Sequence, residues 1–340
     1  FTNEATRSEV MANAYFLRAY CYFTLVRVFG DCPLLTSGFE SEKQEDMYPS
    51  RTAASEVYAQ VETDIEEALR LMPASSKLLH KASPAAINML RTEYYLWKAK
   101  RLGGGNAALS TAQSSVDAVL KAGYTLLPTF ADIFNLNNEA NSELIWTLPY
   151  IVNENVTPGT SPNFFAYYLA PNGDRTRLRE AGYTEDEVPA GSHAQYVVPT
   201  QAYCDFLAED ARDTRTDVSV RVFEDKFLTE EVQIKRMVVK FKGSFANDTR
   251  SFDSDVPVYR LAEAYLLKAE VENALGNTDA ALQNLNVVAK RAYGVDNYYT
   301  ARTQDAIDNA IISEILKEFV AESKAWWAYL RFNKEFELIE

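Results

Sequence analysis

The chain has 340 residues and a formal net charge of −14; 47% of its residues are hydrophobic and 12% aromatic, with 20 Tyr against 4 Trp. That composition is globular and rich in amphipathic rings, and its acidic balance argues against nucleic acid and against anionic lipid, both of which need basic surface to displace counterions. The only histidines, His80 and His193, nearly exclude a His-rich metal site, and Cys21, Cys32 and Cys204, without C-x-x-C spacing, neither require nor forbid an oxidising compartment. No apolar run approaches the roughly 18 residues that span a membrane. Phe1 stands where an initiator Met would be, so the natural N-terminus, with any export or lipidation signal, is expected upstream.

In chain order, Thr6-Arg-Ser-Glu9 has the spacing of a capping box and opens a helix running to Phe29. Its sequence is apolar nearly all round, so it is expected to be covered on most sides, with Cys21 buried and with Arg18 and Arg27 in ion pairs or at the rim. A second helix spans Tyr58 to Met72, and Ala68 and Pro73 have the spacing of the second helix of a tetratricopeptide-like unit. Helices from Pro84 to Leu102 and from Ala107 to Lys121 flank Gly103-Gly104-Gly105 and form a hairpin. Trp146, within Leu144-Ile-Trp-Thr-Leu148, is expected in the core.

Residues 149–257 lose helical periodicity. Pro, Gly, Asn and Asp punctuate them, with strand-like runs at Ser219 to Phe223 and Val232 to Phe241. Lys235, Arg236, Lys240 and Lys242 form the only basic cluster, expected on a solvated strand face. From Val256 the pattern is again helical: Pro257 suits a first helical position, Gly276-Asn277 breaks the run, and Thr278 can cap the next helix. Ala269, Gly276 and Ala281 fall at the small-residue spacing of a tetratricopeptide pair, where close-packed helices need small side chains. The fold class is therefore mainly α, a tetratricopeptide-like scaffold carrying a long irregular insertion with short strands. Its expected parts are 1–148, 149–257 and 258–340, packed as one compact unit.

Several blocks resemble a known family. The run from Phe16 through Gly30-Asp-Cys-Pro33 to Leu35 is similar to the N-terminal signature of the SusD/RagB family of surface glycan-binding lipoproteins. Glu143-Leu-Ile-Trp146, Val198-Pro-Thr-Gln-Ala-Tyr-Cys-Asp-Phe206 with Asp210-Ala-Arg212, and Pro257 to Glu270 resemble further blocks in the same order. The chain departs where the family carries an Arg-rich Glu-Arg-x-x-Glu stretch before a Trp: here stand Lys317-Glu-Phe-Val-Ala-Glu322 and then Ala325-Trp326-Trp327. By the resemblance, the family's tail after Arg331 is expected to be absent or cut short in this sequence. The resemblance implies non-catalytic capture of oligosaccharide at a Bacteroidota-type outer surface and delivery to a SusC-like TonB-dependent transporter. It also implies contact with the outer membrane only through an upstream lipid anchor.

Sugars present apolar C–H faces and hydroxyl edges, so a site for them needs aromatic planes beside amide, carboxylate or guanidinium groups. The insertion supplies Asn163, Tyr167, Tyr168, Asn172, Asp174, Arg175 and Tyr183, while Phe164 and Phe165 read as a seal against the helices. Tyr298 and Tyr299, after Gly294-Val-Asp-Asn297, form a second candidate platform. Trp326 and Trp327 are about 100° apart on a helix, so one is expected in the core and the other at the rim. No metal or cofactor is expected; calcium stays open, although no loop has the ligand spacing of a calcium site. Two other functions stay open. A glycosidase would need a spaced carboxylate pair that nothing in the sequence nominates, and a pure protein-binding scaffold would need no sugar at all.

Overall fold

The computed structural model describes residues 3–38, 47–151, 182–184, 198–225, 233–247, 249–251 and 253–338. It is mainly helical, and its contacts divide the chain into two compact units, Phe1–Ala122 and Gly123–Glu340.

In the first unit, α1 (Glu4–Phe29) begins at Asn3, not Thr6: the Asn3 side chain accepts from the Ala5 amide at 2.8 Å, which leaves Thr6 and Glu9 inside the helix. The helix buries Ala12, Phe16, Ala19, Phe23 and Val26, a single stripe packed on α2 (Ala54–Leu71). The opposite stripe, with Val10, Leu17, Cys21, Leu25 and Val28, is exposed. A helix covered on most sides and a buried Cys21 are therefore both corrected. Cys21 lies two residues from Ala19 and from Phe23, about 200° around the helix from each, so the side that buries them turns it outward.

Arg18 does end in an ion pair, with its Nε and Nη2 donating to the buried Asp64 carboxylate at 2.7 and 2.6 Å. Arg27 lies over the Phe23 ring at 3.7 Å. The next hairpin is α3 (Pro84–Arg101) and α4 (Gly105–Leu120). Ser83 caps α3 by accepting from Ala86 N at 3.1 Å, and Gly103, at φ 74, turns the chain back where a side chain would be strained.

In the second unit, β1 (Leu144–Leu148) pairs antiparallel with β6 (Val256–Arg260), and Trp146 is buried beside Tyr259. The helix expected to start at Pro257 instead starts at Leu261. Val256, Val258 and Tyr259 suit a strand, and β1 supplies a partner, so Pro257 sits in a two-stranded ladder opposite Thr147. Before β6 come the short helices α5 (Gln201–Leu207) and α6 (Thr216–Ser219), then the hairpin β2 (Val220–Asp225) and β3 (Gln233–Val238) and the small pair β4 (Ser244–Ala246) and β5 (Thr249–Ser251).

α7 (Leu261–Ala274) and α8 (Thr278–Tyr293) then form the expected pair around Gly276, at φ 81. Asn277, not Thr278, is the N-cap residue of α8, and its side-chain amide donates to Glu272 at 2.7 Å. Ala262 and Ala269 meet Ala281, Leu285 and Val288 in a fully buried seam, completed by Ile307, Ile311 and Ile315 of α9 (Gln304–Glu318). The last helix is α10 (Ala325–Arg331).

Charge is buried here too. Arg260 donates to Glu318 at 2.5 Å and to Glu322 at 2.8 Å, and Arg291 pairs with Glu143 and Glu318. Arg215 joins Asp213 and Glu314 at 2.8 and 2.7 Å. The network forms although the chain lacks the Arg-rich stretch. Lys240 corrects the solvated-face reading: its Nζ is buried and donates to the carbonyls of Glu318 and Val320 and to the Glu322 carboxylate.

Candidate functional site

Asn163, Tyr167, Tyr168, Asn172, Asp174 and Arg175 lie outside the described residues. Tyr183 packs edge-on against Phe223, with ring centroids 5.8 Å apart, beside the small core of Leu207, Val220 and Met237. Tyr298 and Tyr299 sit at a corner made by α8 and the chain after it. Gly294, at φ 68, ends α8 in the left-handed conformation, and Asn297, at φ 53, turns the loop back along the helix.

The Asn286 side chain clamps that loop. It accepts from the Tyr299 amide at 2.8 Å and donates to the Tyr299 carbonyl at 2.9 Å, substituting for a strand partner. The Tyr299 hydroxyl donates to the buried Glu314 at 2.8 Å. Tyr298 stacks on buried Tyr293, with centroids 3.8 Å apart and 3° between planes, and donates to Asp210 at 2.9 Å. Arg212 forks onto the same carboxylate and holds Asp210 well below the usual range. Burial, aided by Asp210, pushes the Tyr298 phenol up to about 12. Both tyrosines are held rigidly; one face of Tyr298 is taken by Tyr293, whereas Tyr299 lines a cleft.

That cleft has a volume of about 440 Å³. On α8, Asp279, Gln283, Asn286 and Lys290 recur at helical spacing on one side, and Asn297, Thr300 and Arg302 face them from the loop. Arg302 pairs with Asp279 at 2.5 Å and Lys290 with Asp296 at 2.6 Å, both exposed, so each positive group is matched by a negative one. Amide, carboxylate, guanidinium and hydroxyl groups thus surround one fixed aromatic ring. Sequence reasoning singled out Tyr299 but missed its partners on α8, whose polar side chains read as an ordinary solvated helix face.

A second cleft, of about 600 Å³, lies between α5, the end of α9 and α10, with Tyr203, Phe319, Trp326 and Trp327 among its walls. Trp326 is 47% exposed and Trp327 half-buried, so neither is in the core. On so short a helix both indoles reach one cleft. Among the described residues no group of three or more His, Cys, Asp or Glu side chains is placed to hold a metal ion.

Comparison with known proteins agrees with this architecture. Residues 2–95 match the family described as "Starch-binding associating with outer membrane", and residues 142–339 match the SusD family. SusD-like protein P25 of Formosa agariphila is 24% identical over 99% of this chain; the chain spans 64% of that relative's length. A solved SusD superfamily protein of Bacteroides vulgatus superimposes with a TM-score of 0.80 at 27% identity, covering 97% of this chain and 73% of that one. A surface glycan-binding protein A from Bacteroides thetaiotaomicron, solved in complex with laminarihexaose, has the same fold at 20% identity and a TM-score of 0.72, covering 98% and 70%. The family match takes in the strand pair, the tetratricopeptide-like α7–α8 hairpin and both clefts, and on it the chain belongs to the SusD family.

Proposed function

We propose that this chain binds oligosaccharide without cleaving it, as a lipid-anchored protein of the outer bacterial surface, and delivers it to a SusC-like TonB-dependent transporter. Membership of the SusD family supports the surface role, and the laminarihexaose complex of a protein of the same fold supports a glycan as ligand. The observation that carries the reading is the polar cleft beside Tyr299. It offers the aromatic ring and the amide and charged groups that hydroxyl edges need, at a volume suited to a short saccharide. The balanced ion pairs favour an uncharged glycan. Insertion residues Asn163, Tyr167, Tyr168, Asn172, Asp174, Arg175 and Tyr183 remain proposed contacts on the 149–257 side.

Hydrolysis would need two carboxylates flanking the bound sugar, whereas the acids that line the polar cleft, Asp279 and Asp296, are each paired with a cation, Arg302 and Lys290. Calorimetry against laminarihexaose and other neutral oligosaccharides, followed by a reducing-end assay, tests the proposal. The expected result is saturable heat without new reducing ends, weakened about tenfold by Arg302→Ala or Gln283→Ala, the loss of one or two good hydrogen bonds. New reducing ends, or silence across the neutral panel, would overturn it. Tyr167→Ala and Tyr168→Ala separate a contribution of the insertion from that of the cleft.

A further inference from the structure

The larger cleft differs in chemistry from the polar one. Its aromatic walls are Tyr203, Phe319, Trp326 and Trp327, and aliphatic side chains such as Val238 and Leu316 fill in between them. Its polar lining groups, beside the Tyr203 hydroxyl and the indole N–H donors of Trp326 and Trp327, are those of Ser323 and Lys324. The Tyr203 hydroxyl is committed to the Leu316 carbonyl at 2.6 Å. The Lys324 ammonium is neutralised by Glu263 at 2.7 Å and lies over the Tyr259 ring at 4.6 Å. The cleft therefore carries no uncompensated charge, which matches an uncharged occupant.

The walls are fixed in advance. Ala321 and Ser323 both have left-handed backbones, at φ 60 and 59, a conformation that is strained for a residue with a Cβ and persists only where the surroundings impose it. Glu322, between them, is clamped by Arg260 and Lys240. On the other side, Arg236 donates to the Pro199 carbonyl at 2.9 Å and holds that rim. Beyond that rim the strand face turns mixed: exposed Val222 pairs with Arg236 and exposed Ile234 with Glu224, so the apolar surface ends at the cleft.

A bare sugar fits this surface poorly. Its hydroxyls would lose water and find few partners, whereas an uncharged planar or acyl group gains contact with indole and phenol rings and loses little solvation. We infer that the Trp326 cleft is a subsite for the apolar substituent, aryl or acyl, of an uncharged glycan. This rests on the glycan reading and deepens it, by naming the chemical class of group that the aromatic cleft takes.

Calorimetry with phenyl β-glucoside and methyl β-glucoside tests this, read in parallel by tryptophan emission. Of the four tryptophans, Trp97 and Trp146 are buried, so an emission change reports on Trp326 and Trp327. The expected result is that phenyl β-glucoside binds at least about tenfold more tightly than methyl β-glucoside, the difference an apolar pocket gives a group of that size. Trp326→Ala, a change at an exposed position, should remove most of that preference. Equal affinity for the two glucosides, or a preference that survives Trp326→Ala, would overturn the inference. Oligosaccharide binding measured on the same protein keeps the two readings apart. If unsubstituted oligosaccharide binds and phenyl β-glucoside shows no advantage, only the inference falls; if the phenyl group binds and no oligosaccharide does, the glycan reading falls.

Discussion

Glu318 is the acid on which the buried charges of the second unit converge. Burial would raise its carboxyl, yet Arg291, Arg260 and Arg215 outweigh that and hold it well below the ordinary 4.5. Its folded value lies under its unfolded one, so its contribution to stability is present above about pH 4.5 and lost as the pH falls through the folded value. Glu322 has the same sign. Lys240 acts in the same direction at alkaline pH: burial lowers its ammonium to about 8, so between there and 10.5 its titration also makes stability rise with pH. Denaturant unfolding across the acid range should show the midpoint falling below about pH 4.5. Glu318→Gln should flatten that fall and cost about 3–5 kcal/mol at neutral pH, because it leaves buried arginines short of a partner. An acid slope unchanged in the variant would count against this account. Nothing in the spacing of Lys317-Glu-Phe-Val-Ala-Glu322 announces the network, since its partners Arg215, Lys240, Arg260 and Arg291 come from elements distant in sequence.

At the scale of elements, helices were easier to read than their neighbours. The alanine seam between α7 and α8 and the α3–α4 hairpin follow from local spacing and glycine punctuation. The stretch from Val256 to Arg260 did not, because a strand takes its stability from a partner and that partner, β1, lies more than a hundred residues earlier. α1 carries a similar lesson. Its composition is apolar on every side, but among the described residues of the first unit only the Phe16–Phe23 stripe is buried, and the Leu17–Cys21–Val28 stripe is exposed. Titration of the native protein with a thiol reagent should therefore modify Cys21 quickly and leave Cys32 and Cys204 protected until denaturation, since both are buried and burial pushes their thiols up. Three thiols reacting at one rate, or none, would contradict the exposed stripe.

For the molecule as a whole, the charge of −14 argues against polyanionic partners in general but says little about a local cleft. Beside Tyr299 the opposing pairs Asp279–Arg302 and Lys290–Asp296 cancel, so the ligand field there is that of dipoles. Affinity for a neutral oligosaccharide should accordingly change by less than about twofold over a roughly tenfold increase in salt. A steep loss with salt would show that net charge, not hydrogen bonding, carries the binding. The mainly helical repeat class and the family resemblance were determined by sequence alone, because helical periodicity, capping and small-residue spacing are local properties that neighbouring residues impose on one another. The tertiary structure alone decided that Trp326 and Trp327 share a cleft, that Lys240 is buried, and that α8 faces Tyr299 with polar groups. Each of these depends on which distant segments meet, and side-chain burial and pairing are settled only when they do.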